Sequence, residues 1–201
     1  SFDFFAGYRT RIIMNNTFKR CHTNLYRMQF DNLTKNENRL LNMKYIKYTY
    51  NYNNTEYYYL SKTFSDKKII YLLFPAFQSY MKFKYNISIY SSSDEIFIIE
   101  YNSGRKVIHI LDKNKQNIQN SVETKLWSGP SLKRDYEFAL SNNFEVYYAF
   151  CVNNYIKNKL LSFQQKYLTL NTILNESNII VLFGEDNNYF NTLDSWLKFS
   201  L

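Results

Sequence analysis

From residue 45 onward, short runs of alternating apolar and polar residues recur through most of the chain, the period of a strand with one buried face. In Phe83–Tyr90, Phe83, Tyr85, Ile87 and Ile89 fall on one side, while Lys84, Asn86 and Ser88 fall on the other. In Phe144–Phe150, Phe144, Val146, Tyr148 and Phe150 form a second apolar stripe. Both stripes are expected to face a core. Further β-rich runs cover Tyr45–Tyr50, Glu56–Leu60, Ile69–Phe74, Ile96–Tyr101, Lys106–Leu111, Asn178–Phe183 and Ser195–Phe199, divided by Asn, Ser, Asp and Gly clusters that suit turns. Tyr101-Asn102-Ser103-Gly104-Arg105 reads as a hairpin turn in which Gly104 supplies a positive φ. Helical spacing is sparser: Ile156, Leu160, Phe163, Tyr167 and Leu170 keep a 4-3-4-3 pattern, and a weaker apolar face runs through Asn32–Met43. The expected fold is all-β, an antiparallel, jelly-roll-like β-sandwich with one or two short helices. Without an internal repeat or a Pro/Gly-rich linker, residues 1–201 read as a single β-rich domain, with 1–43 a less regular N-terminal segment.

Composition enters where function is at stake. The chain has 20 Tyr and 17 Phe but only 4 Gly and 2 Pro, a bias that A/T-rich codons explain in large part, so aromatic richness is weak evidence of a binding role. The net charge of +8 would suit an anionic partner. The densest basic clusters, however, are only scattered pairs: Arg9/Arg11, Lys19/Arg20, Lys67/Lys68, Arg105/Lys106 and Lys133/Arg134. That spacing favours a solvated basic surface over a specific nucleic-acid site.

The longest apolar stretch, Ile69–Met81, is broken by Pro75, Gln78 and Ser79 and is too short to span a bilayer, so no membrane span is expected. A start at Ser1 suggests a mature, processed form, and the setting is read as secreted or extracellular, with an organellar or cytoplasmic one as the alternative. Cys21 and Cys151 are too far apart for a zinc ribbon and are expected to form one disulfide in a secreted chain, or two buried thiols in a cytosolic one. Asn15, Asn32, Asn53, Asn86 and Asn175 head Asn-x-Ser/Thr sequons, the acceptors of a glycoprotein, although so Asn-rich a chain produces several by chance.

Motifs for chemistry are missing. The glycines are too dispersed for a dinucleotide or phosphate loop, and two histidines cannot build a multi-histidine zinc site, so neither cofactor nor metal is expected. His109 shares a strand face with Val107 and Leu111 and reads as a half-buried core histidine. Asp94/Glu95, Asp135/Glu137 and Glu185/Asp186 are the carboxylate pairs a hydrolase would need, but at strand ends they read first as solvated turn residues. The better clue is aromatic: Tyr48, Tyr50 and Tyr52 share one strand face, either as core or as an exposed platform. Trp127, beside the Gly129-Pro130 turn signal, and the basic Arg105 are the other candidate binding residues, while Trp196 reads as core.

The block Met81-Lys-Phe-Lys-Tyr-Asn-Ile-Ser-Ile-Tyr-Ser-Ser-Ser-Asp94-Glu-Ile-Phe-Ile-Ile99, followed by Tyr101-Asn-Ser-Gly104 and Val107-Ile-His-Ile110, resembles the farnesoic acid O-methyltransferase-like domain of arthropod proteins. The resemblance covers about half the chain, with Leu161-Ser-Phe163 and Trp196 as later echoes, and implies a β-sandwich. It implies no methyl transfer, since the glycine-rich cofactor loop that such chemistry calls for is missing. Together these readings make the chain a secreted, non-enzymatic protein that acts by binding or self-assembly, with a protein or glycan ligand or a homo-oligomer as its partner. The alternatives are a basic RNA-associated subunit of a ribonucleoprotein, or a carboxylate-dependent hydrolase.

Overall fold

The computed structural model describes residues 28–114, 119–140 and 143–198. Seven strands form one mixed sheet in the order in which they occur: β1 (Ile46–Tyr52), β2 (Thr55–Thr63), β3 (Lys67–Leu73), β4 (Glu95–Tyr101), β5 (Lys106–Asn114), β6 (Glu145–Val152) and β7 (Ile179–Phe183). The first five make an antiparallel meander, and β5, β6 and β7 run parallel.

Turn chemistry sets the meander. Asn53 and Asn54 both adopt positive φ, 48° and 60°, in the two-residue turn joining β1 to β2, and Asn tolerates that region better than most residues. Between β4 and β5, Gly104 takes φ 88°, and the Tyr101 N–H donates to the Arg105 carbonyl at 2.9 Å, as the expected hairpin requires.

Parallel pairing needs crossovers, which helices supply. The β5–β6 link carries α4 (Gln119–Trp127) and α5 (Gly129–Leu140), and the β6–β7 link carries α6 (Asn154–Leu160) and α7 (Gln165–Glu176). Asn153 caps α6 by accepting from the Ile156 N–H at 3.1 Å. α3 (Ala76–Tyr85) is inserted between β3 and β4. Helical residues 28–34 (α1), then α2 (Asn36–Asn42), precede the sheet, and α8 (Tyr189–Leu197) follows it.

Two buried clusters show that the sheet is covered on both faces. On one, Ile70, Ile98, Ile110 and Phe150 meet Phe77 and Met81 of α3, Leu126 of α4, Leu140 of α5, Ile156 of α6 and Leu174 of α7. On the other, Tyr71, Phe97, Leu111 and Cys151 meet Phe30 of α1, Leu40 of α2 and Leu193 of α8. Each fully buried Leu or Ile contributes roughly 1.5–3 kcal/mol relative to exposure. At the end of β7 the helix layer comes so close that a Cβ on Gly184 would stand 2.7 Å from Cys151 Sγ and Thr34 Cγ2.

The all-β sandwich, the fold that the resemblance also implies, is thereby corrected: this is an α/β architecture, a single mixed sheet between helical layers. The Phe83–Tyr90 strand is corrected with it. Its first residues close α3, Asn86 terminates the helix in the left-handed region at φ 57°, and the Ile87 N–H returns to the Met81 carbonyl. Helical geometry buries Phe77, Tyr80 and Met81, so Phe83 points outward at 60% exposure and Ile89 alone of the expected stripe is buried. Residues 195–197 of the Ser195–Phe199 run belong to α8, which buries Tyr189, Leu193 and Leu197 at four-residue spacing, and Trp196 packs partly against that core. The single helix suggested over Ile156–Leu170 is two, parted at Leu161, and Phe163 is exposed.

Candidate functional site

Two regions bring chemistry-bearing residues together: the outer edge at β1, and the carboxyl ends of the parallel strands.

At β1 the register sets Tyr48 opposite Tyr59 and Tyr50 opposite Tyr57. Their rings stack, at centroid separations of 5.3 Å and 5.7 Å, inside the range where aromatic pairs attract beyond simple burial. Phe83 of α3 stacks on Tyr50 at 5.8 Å and meets the edge of Tyr52. Tyr50 is the anchor of the ladder. Its hydroxyl donates to the Ala76 carbonyl at 2.7 Å and shares a hydrogen bond with Ser79 Oγ, and burial raises its pKa. Outward from that anchor the face opens: Ile46 is 59% exposed and Tyr48 43%. On the opposite face the Lys47 ammonium lies 3.8 Å from the centroid of Tyr58. Among the described residues no strand pairs with the outer side of β1, so half of its backbone N–H and C=O groups face away from the sheet. The three tyrosines named from sequence are therefore together, in a ladder that is part core and part surface.

The other named residues lie elsewhere. Arg105, in the turn just before β5, is exposed and pairs with Glu145 at 2.5 Å. Trp127 ends α4 and packs partly against the core, away from the β1 edge and not in a presented loop. Cys151 is a free, buried thiol whose pKa burial pushes up to about 12. Cys21, the other half of the expected disulfide, lies outside the described residues, as does Asn15. Asn32, Asn53, Asn86 and Asn175 are all exposed.

Open α/β sheets hold ligands beyond the carboxyl ends of their parallel strands, which makes the ends of β5, β6 and β7 the second place to look. A polar network occupies it. Glu95 and Lys113, each with 4% of the side chain exposed, pair at 2.5 Å; Lys113 also donates to the Thr34 carbonyl and Asn36 to Glu95. Asp112 accepts from Lys125 at 2.5 Å and from the Tyr148 hydroxyl at 2.9 Å, while burial raises the Asp112 pKa against the pull of that ammonium. Asp94 accepts from the Lys113 backbone N–H, Glu185 from that of Asn154, and Asp186 from Lys157. Asp135 takes the Ser91 hydroxyl, and Glu137 pairs with Lys133 and Arg134. Every member of the three carboxylate pairs thus already holds a donor from this chain. Glu95 corrects the expectation of solvated turn residues: it is buried because β4 carries it between the sheet and the α1–α2 layer.

Lys113 and Asp112 escaped the sequence reading. Their signal is an Asp-Lys-Asn run that continues the apolar Val107–Leu111 strand without a glycine or proline to end it, so that the strand carries charges into the interior. Among the described residues, no group of three or more His, Cys, Asp or Glu side chains is placed to hold a metal ion, and no helix is long and apolar enough to cross a membrane.

No family model, no curated protein and no solved structure matches this chain.

Proposed function

We propose that this chain is a non-catalytic interaction protein that acts by adding an extended partner segment to the β1 edge of its sheet. One observation carries the reading: β1 joins an outer edge without a pairing strand, among the described residues, to an exposed apolar face of Ile46, Tyr48 and Phe83. Backbone groups of such an edge supply affinity, and alternate side chains over the tyrosine ladder supply selectivity. The carboxyl ends of β5–β7 support the non-catalytic part, because the carboxylates a hydrolase would use are engaged by Lys113, Lys125 and Lys157. An extracellular setting belongs to the same proposal, and the exposed Asn32, Asn53, Asn86 and Asn175 support it. A drop in mass after glycosidase treatment of the native material would test that setting.

Selection from a random peptide display library tests the edge. The reading expects peptides of alternating apolar and polar residues that compete with one another and that lose binding to an Ile46→Lys/Tyr48→Lys double variant of unchanged melting temperature. Peptides that bind the double variant equally well would overturn it.

A further inference from the structure

We infer that the segment β1 accepts is β1 of a second copy of this chain, paired antiparallel about a two-fold axis at Thr49. The inference rests on the edge reading above and names its partner. Residues directly opposite in an antiparallel pair share a face, so an aromatic face meets an aromatic face only in registers that keep even-numbered residues opposite even-numbered ones. The strand runs from Ile46 to Tyr52 and its midpoint is Thr49. The register that pairs all its residues therefore also matches the faces: Ile46 meets Tyr52, Tyr48 meets Tyr50, Lys47 meets Asn51, and Thr49 meets itself. Shifting the axis to Tyr48 or Tyr50 keeps the parity but leaves strand residues facing turn residues.

The side chains fit that register. Tyr48 already stacks on Tyr59, and Tyr50 on Tyr57, within one copy. Placing Tyr48 of one copy against Tyr50 of the other extends each pair into a row of four tyrosines crossing four strands. On the opposite face the one charged residue of β1, Lys47, lies against a neutral Asn51, so no like charges oppose each other. An axis perpendicular to the sheet keeps each helical layer on its own side and closes the assembly at two copies, the isologous arrangement of most homodimers. Within β1 itself the sequence guards against such pairing are few. β1 has no proline, its ladder with β2 advances residue for residue without a bulge, and its single lysine lies on the face away from the tyrosines.

Sedimentation of the full chain from about 1 to about 100 µM tests the partner. Thr49 is exposed and sits on the axis, so Thr49→Lys and Thr49→Asp each place like charges opposite each other. The expected result is a wild-type dimer, about tenfold or greater weakening in either variant, and recovery on mixing the two variants in equal amounts. A dimer indifferent to both charges would overturn the inference by placing the contact elsewhere. A monomer whose β1 amides exchange rapidly would overturn the second copy alone, leaving the edge to the peptide selection. A monomer whose outward β1 amides are protected would overturn both readings, because another part of the same chain would then cover the edge.

Discussion

His109 shows how a single buried group makes the fold sensitive to acid. Its ring stacks on Tyr147 at 4.8 Å and meets the Trp196 ring edge-on at 4.8 Å, and its Nδ1 has no hydrogen-bond partner. The expected half-buried position is in fact a fully buried one. Burial first, and the charge of Lys198 second, push its pKa down to about 3. An unfolded chain titrates near the ordinary 6.5, so between these values the unfolded state binds the proton that the folded state refuses. Stability should therefore be fully present above about pH 6.5 and decline as pH falls towards 3, by up to about 1.4 kcal/mol per pH unit from this residue. His109→Phe keeps an aromatic ring in the slot and removes the titration. Urea unfolding at pH 7, 6 and 5 should give a shallower decline for this variant than for the wild type. Equal slopes would show that the imidazole accepts its proton within the fold.

At the scale of elements, strands were legible and their surroundings were not. β1, β2, β3, β4, β5, β6 and β7 all lie where alternation or β-branched runs suggested them, because side-chain period is a local property. What lies over a strand is not local, yet it leaves a trace: Ile69–Leu73, Ile96–Ile99 and Ala149–Val152 are nearly continuous apolar runs, the pattern of strands buried on both faces, where a sandwich strand would alternate. α3 departs from the alternation for a related reason. Phe83, Tyr85, Ile87 and Ile89 alternate by chance across a helix end, while the informative spacing, Phe77-Tyr80-Met81 between Pro75 and Asn86, lies just upstream. Mutations separate the two readings. Ile98→Ala, in the centre of β4 and wholly buried, should cost about 2–5 kcal/mol, whereas Phe83→Ser should cost only about 1 kcal/mol, since its ring is mostly in solvent and loses little beyond its contacts with Tyr50 and Tyr52. A large loss at Phe83 in denaturant titrations would restore it to a core.

For the whole molecule, the question is what a net charge of +8 does once the chain is folded. Much of the positive charge is spent internally: Lys113 on Glu95, Lys125 on Asp112, Lys157 on Asp186, Lys159 and Lys166 on Glu123, Arg39 on Asp194. Among the described residues Lys44, Lys47, Lys62, Lys67, Lys68, Lys82, Lys106 and Lys198 take part in none of these ion pairs, and they are spread over the turn before β1, strands β1, β2, β3 and β5, α3 and the end of α8. The pairing of Lys with acid across distant segments could not be read from sequence, where only the scatter of basic pairs was visible. Both levels lead to the same expectation for RNA, weak and sequence-independent attraction to phosphate. If about four of these lysines touch phosphate at once, about four counterions are released, so raising salt from about 50 to about 200 mM should weaken binding on the order of a hundredfold. Fluorescence anisotropy with single- and double-stranded RNA of unrelated sequences should show that fall in every case. Tight, sequence-selective binding at the higher salt would instead require bases stacked on Tyr48 and its neighbours, because aromatic stacking survives salt that phosphate contacts do not. The β1 edge would then be a nucleic-acid platform, and the protein-pairing reading would give way to it.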